Sequence, residues 1–159
     1  MWRFACRFWE SSAAREACLG LQDRGWSVTR ILCATWLATS GKALSGTESA
    51  QVTAWRRHVT EPLRSSKKYI TKNNPRTAIV RECISRSELE AERVELALAY
   101  QALVSDNYTG SGEIPLANLA LNNLLAAAPE KTMDNETGSL LDTLTRELST
   151  LVEGDNKPC

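Results

Sequence analysis

The sequence holds a single histidine, His58, and that scarcity removes much familiar chemistry. A Cys/His zinc set needs more donors than one imidazole, and no Cys-x-x-Cys pair is present to replace them. Carboxylate metal sites in helix bundles use Glu-x-x-His pairs, which are also missing. No serine, histidine and acid can be assembled around His58 with any specificity. A Cys–His pair would need a local signature that Cys6, Cys18, Cys33, Cys83 and Cys159 do not show. His58 lies in WRRHVTEPL and reads as a solvated surface group. Neither G-x-G-x-x-G nor G-x-x-x-x-G-K-S/T occurs, and Gly110-Ser111-Gly112 is too short for a phosphate loop. The sequence thus offers no catalytic, cofactor-binding or metal-ligating residue, and no cofactor or metal is expected.

Other absences bound the class. No apolar run approaches the ~20 residues that a membrane helix needs. The opening MWRFACRFWE is interrupted by Arg3, Arg7 and Glu10, so it does not read as a secretory leader. Five cysteines without a paired pattern suggest free thiols in a reducing compartment, so a cytoplasmic protein is expected. Two-residue alternation and long repeats are both missing, which argues against strands and solenoids. Lys+Arg and Asp+Glu number 19 each, so the overall charge points to no partner.

What is present is helical periodicity. Residues Ser11 to Gly41 predict two helices joined by a tight turn at Gly25–Trp26. Ser12 can cap the first, along which Ala14, Ala17, Cys18 and Leu21 share one face. Gly25 suits the left-handed residue that ends a helix, and Ser27 caps the next. Val28, Ile31, Leu32, Thr35 and Trp36 form the second apolar stripe, which Gly41 ends. Both helices are too apolar to stand alone, so this αα-hairpin is the centre about which the rest should pack.

The flanking chain extends the pattern. Trp2 to Trp9 reads as a short helix. All five tryptophans and both phenylalanines fall in the first 55 residues, at helical spacing among alanine and leucine. That clustering predicts one aromatic core, with Trp36 buried, in preference to a base-stacking platform. A helical segment from Glu48 to Thr71, capped by Ser45 or Thr47, contains Pro62, where a kink or break is expected. Asn73–Asn74–Pro75 is a loop. A long helix from Arg76 to Val104 should bury Val80, Ile84, Ala91, Val94 and Leu98, with Leu89, Leu96, Tyr100 and Leu103 widening that stripe. It should leave Glu88, Glu90, Glu92 and Glu95 on a solvated face. Residues 105–113 make a loop, Pro115 opens a helix to Ala128, and Ser139 to Val152 form a last one through Leu141, Leu144, Leu148 and Leu151. The expected fold is all-α, a compact bundle of six or seven helices. It forms a single helical domain over 1–153, with a disordered tail at 154–159.

Charge is unevenly placed. Arg56, Arg57, Arg64, Lys67, Lys68, Lys72, Arg76, Arg81 and Arg86 stand against only Glu61 and Glu82 in residues 56–86. Residues 87–159 hold thirteen acids and four bases, so the two regions can attract each other or a partner. Arg56, Arg57, Arg64, Lys67, Lys68 and Lys72 are the candidate interaction surface. They could contact phosphates, face an acidic partner or form a solvated face partly neutralised by the later acids. The central helix pair resembles a helix-turn-helix in outline only, with the helix that follows Ser27 in the recognition position. Beyond Thr29 and Arg30 that helix presents Ile31, Leu32, Cys33 and Ala34, which read as core and not as base contacts.

WRFA at 2–5, EACLGLQDRG at 16–25, the I-L-x-x-x-W-L-A pattern at 31–38 and WRRHVTEPLR at 55–64 resemble a bacterial family, domain of unknown function 2390. The resemblance covers about residues 2–100. It implies a helical cytoplasmic bacterial protein and no particular activity. The functional expectation is a non-enzymatic helical interaction module that binds an unidentified protein partner. A weak nucleic-acid or ribonucleoprotein binder using residues 56–86 is the alternative. A third reading is an enzyme with an unrecognised active site. No membrane partner is expected, and the pattern leaves the oligomeric state open.

Overall fold

The structure, a computed structural model, describes residues 1–105, 114–129 and 133–155. Among them every regular element is helical. The helices are α1 (Trp2–Glu10), α2 (Ser12–Asp23), α3 (Val28–Thr39), α4 (Ala50–Trp55), α5 (Glu61–Tyr69), α6 (Ala78–Ser105), α7 (Leu116–Ala126) and α8 (Asn135–Asp155). A π-helical turn, Arg56–Thr60, joins α4 to α5 without a break, so the described residues form seven continuous helices. The all-α expectation holds. None of these helices is long and apolar enough to cross a membrane.

The described residues pack as two compact units. Unit 1 takes residues 1–47 and the described residues from 114 onward, and unit 2 takes residues 48–105.

In unit 1, α2 and α3 end alike. Gly25 and Gly41 adopt positive φ of 89° and 66°. The Trp26 amide donates to Leu21 O and the Gly25 amide to Gln22 O, while Lys42 and Gly41 repeat the pattern on Leu37 and Ala38. Each is a Schellman stop in which glycine takes the left-handed position. Ser27 caps α3 as expected, whereas Ser11 caps α2 in place of Ser12, accepting from the Ala14 amide at 3.2 Å. The two helices pack less on each other than on the C-terminal pair, α2 along α8 and α3 along α7. That leaves α3 enclosed nearly all round, with Ile31, Leu32, Cys33, Ala34, Thr35, Leu37 and Ala38 buried. Trp36 is only half-buried, contrary to expectation, and Trp26 at the turn is the buried tryptophan. Leu141, Leu144 and Leu148 of α8 are sealed, and Leu151 is half-buried.

Polar anchors hold the 40–47 segment in unit 1. Buried Asn123 donates to Ala34 O and Lys42 O and accepts from the Leu44 amide. The Arg30 guanidinium donates to Gly46 O and to Ala126 O and Ala127 O, satisfying carbonyls that the end of α7 leaves open. Helix α8 begins at Asn135, four residues before the expected Ser139, because Asp134 accepts from the Thr137 amide at 2.7 Å as its cap. It runs through Asp155, so residues 154 and 155 are helical where a disordered tail is expected. The rest of that tail, and most of the expected 105–113 loop, lie outside the described residues.

In unit 2, Ser49 caps α4 through the Gln51 amide, displacing Ser45 and Thr47 from that role. Pro62 does not break the segment, although it lies inside the continuous helix that α4, the π turn and α5 make together. It falls in the first turn of α5, directly after the π turn, whose i→i−5 bond runs from the Glu61 amide to Arg56 O. One extra residue in the turn makes room for the proline ring and its missing donor.

Helix α6 shows the largest departure from the expected pattern. Ala91, Leu96 and Ala99 are buried, but so are Glu88 and Glu95, while Val80, Val94 and Leu89 are exposed. Ile84 and Leu98 are half-buried. Glu88 and Glu95, which the sequence assigns to solvent, therefore point inward, while Glu90 is exposed and Ala91 is buried as expected.

Candidate interaction surface

The inward carboxylates of α6 meet a basic stripe. Arg56, Thr60, Arg64 and Lys67 recur at i, i+4, i+8 and i+11 along the π turn and α5, and Glu88, Glu92 and Glu95 recur at i, i+4 and i+7 along α6. The two segments run antiparallel, so Arg56 reaches Glu95 and Lys67 reaches Glu88. Arg56 Nε donates to Glu95 Oε1 at 2.7 Å, and Nη1 and Nη2 grip both oxygens of Glu48 at 2.6 and 2.7 Å. Arg64 Nη2 donates to Glu92 Oε1 at 2.7 Å and Nε to Glu88 Oε1 at 3.2 Å. Lys67 pairs with the other Glu88 oxygen. Trp55 Nε1 donates to Ala91 O at 3.0 Å, tying α4 to the same seam.

Planar guanidinium forks suit this place, because each satisfies two carboxylates or both oxygens of one. Burial works against the Arg56 charge, but the hydrogen bonds and charges of Glu48 and Glu95 outweigh it and hold the guanidinium above its ordinary range. Burial pushes Glu92 up, against the pull of Arg64 and Lys67 and with a further push from Glu88. Thr60 Oγ1, in the middle of the stripe, is buried with no hydrogen-bond partner among the described residues.

The candidate surface thus divides. Arg56, Arg64 and Lys67 face α6 and are internally paired, whereas Arg57, Lys68 and Lys72 are exposed, as is His58. The sequence reading missed Glu48, Glu88, Glu92 and Glu95 as specific partners of these bases. The shared helical spacing of the bases and of the α6 acids is the one signal in the sequence that points to Glu88, Glu92 and Glu95, and Glu48 stands outside it. Arg81 has another task. Its Nη1 donates to Ile70 O at 2.5 Å and to Lys67 O, closing the C-terminal end of α5. Among the described residues no group of His, Cys, Asp and Glu could hold a metal ion. The acidic α6 cluster is engaged with arginine and lysine instead.

Residues 1–98 match the family described as a protein of unknown function, DUF2390, and the chain belongs to that family. The match runs from α1 into α6 and stops short of α7 and α8, which provide the main packing partners of α3 and α2. No curated protein and no solved structure matches the chain.

Proposed function

We propose that this protein is a non-enzymatic interaction module of the bacterial cytoplasm that docks a protein partner through unit 2. One observation carries the reading. Three of the six candidate cations, Arg56, Arg64 and Lys67, are spent on Glu48, Glu88, Glu92 and Glu95, which depletes the positive field available to a polyanion. The cations left exposed are interspersed with exposed Tyr69, Ile79 and Val80, a mixture that suits a protein surface better than a phosphate backbone. The free state of Cys6, Cys18, Cys33 and Cys83 supports a reducing compartment.

The competing reading is a weak nucleic-acid binder, favoured by the exposure of Tyr69 between Lys68 and Lys72. Lys68→Glu with Lys72→Glu separates the two, because neither lysine has an ion pair among the described residues. Lys67 would be a poor probe, since its change would also break the Glu88 pair. A gel-shift titration at about 50 and about 200 mM salt should show near-background retention for wild type and double variant alike. Affinity capture should lose one specific protein with the variant. Tight, salt-sensitive nucleic-acid binding that the double change abolishes would replace the protein reading with the nucleic-acid one.

A further inference from the structure

The closed end of the α5–α6 hairpin differs from the rest of unit 2. From Pro62 to Arg81 the chain contains no Asp or Glu. Arg64 and Lys67 are paired with α6, and Arg81 is held by α5 carbonyls. Lys68, Lys72 and Arg76 remain exposed, without an ion pair among the described residues. Arg81 draws the first turn of α6 against the last turn of α5, which brings Ile79 and Val80 to the same end as Tyr69. These three are 75%, 52% and 91% exposed. Large apolar side chains grouped with unpaired cations mark a surface that something covers.

The arrangement selects among anionic partners. Residues 71–76, the apex, read Thr-Lys-Asn-Asn-Pro-Arg and are all exposed, with the apolar side chains set back behind them. A bilayer would have to admit this polar apex before reaching Ile79, the reverse of an interfacial anchor. A polynucleotide can use the cations and stack on Tyr69, but it leaves the aliphatic Ile79 and Val80 in water. A peptide carrying both carboxylates and apolar side chains complements every exposed group. The geometry points to an acidic amphipathic peptide segment as the occupant of this hairpin end. Its carboxylates meet Lys68, Lys72 and Arg76, and its apolar side chains cover Tyr69, Ile79 and Val80. The inference rests on the interaction-module reading and gives it a location and a partner chemistry.

The test is an amide chemical-shift titration of the full chain with three probes: a synthetic peptide alternating Glu and Leu, poly-glutamate of equal charge, and a single-stranded oligonucleotide. The Glu/Leu peptide should shift amides of residues 67–80 and bind more tightly than either other probe. Lys68→Glu, Lys72→Glu and Arg76→Glu together should weaken it by about tenfold, the middle of the range that three exposed ion pairs sum to. Ile79→Ser with Val80→Ser should weaken the Glu/Leu peptide and leave poly-glutamate unchanged. All five positions are exposed, so helical content should stay at the wild-type level. Equal or tighter binding of poly-glutamate or the oligonucleotide, shifts confined to other residues, or no shift at all would overturn the inference. A native partner captured equally by wild type and triple variant would overturn this location while leaving the interaction-module reading standing.

Discussion

Arg56 donates to Glu95 across 39 residues of chain, and the Glu95 side chain is 3% exposed. A carboxylate so enclosed is tolerable only because the guanidinium reaches it at 2.7 Å while also gripping Glu48. The pair settles which face of α6 turns inward. Buried ion pairs add little over a well-packed apolar pair, but breaking one side leaves an uncompensated charge.

Glu95→Ala should therefore destabilise unit 2 by on the order of 3 kcal/mol, because Arg56 loses a buried partner. The triple change Arg56→Met, Glu48→Leu and Glu95→Leu, which leaves no charge of the set unpaired, should recover most of that loss. Hydrogen exchange of α5 and α6 amides reads the effect in unit 2 by itself. Full protection in Glu95→Ala would mean that the seam is not a determinant of the unit.

Glu92 gives the seam a pH dependence of unusual sign. Its folded pKa is raised above 4.5, chiefly by burial, so the folded chain holds a proton that the unfolded chain has released. Stability from this group is complete below the unfolded value of about 4.5 and is lost as pH rises through the higher folded value. Relative to Glu92→Gln, the wild type should lose stability between pH 4 and pH 7 (a range chosen to span about 4.5). Urea unfolding of both proteins across that range checks it, and a gap that widens in the opposite direction refutes it.

Leu148 is fully buried where α8 packs along α2. Leu148→Ala should cost about 2–5 kcal/mol, from lost transfer energy and the cavity left behind. Denaturant melts followed by tryptophan fluorescence measure it. A loss below about 0.5 kcal/mol, the range for surface positions, would remove α8 from the core of unit 1.

The thiols should divide by depth. Cys6 and Cys83 are exposed, whereas Cys18 and Cys33 are buried. Burial pushes the Cys18 thiol up to about 12, which leaves almost no reactive thiolate near neutral pH. A thiol reagent should label Cys6 and Cys83 rapidly in the native protein and reach Cys18 and Cys33 only on unfolding. Cys159, expected from sequence to react quickly, lies outside the described residues.

Local chemistry was readable in the chain alone. Gly25 and Gly41 stop their helices because a left-handed residue is needed within a few positions of the last turn, and Ser27 starts one because its hydroxyl reaches an amide three residues on. The 3-4 spacing of Leu141, Leu144 and Leu148 likewise placed the buried face of α8 correctly. The basic stretch was legible as a composition, and the division of its members into paired and exposed was not.

Tertiary structure alone decided the orientation of α6. By apolar periodicity Val80 and Val94 belong inside and Glu88 and Glu95 outside, yet the observed burial is the reverse. Hydropathy ranks each residue against water, whereas the cost of burying a carboxylate depends on what faces it. The answering groups, Arg56, Arg64 and Lys67, lie 21 to 39 residues away, and only the antiparallel register of α5 on α6 brings them into contact. The same holds at Pro62. Its ring demands relief within one turn, but a π turn in place of a break keeps Arg56 and Arg64 on one side, facing the glutamates.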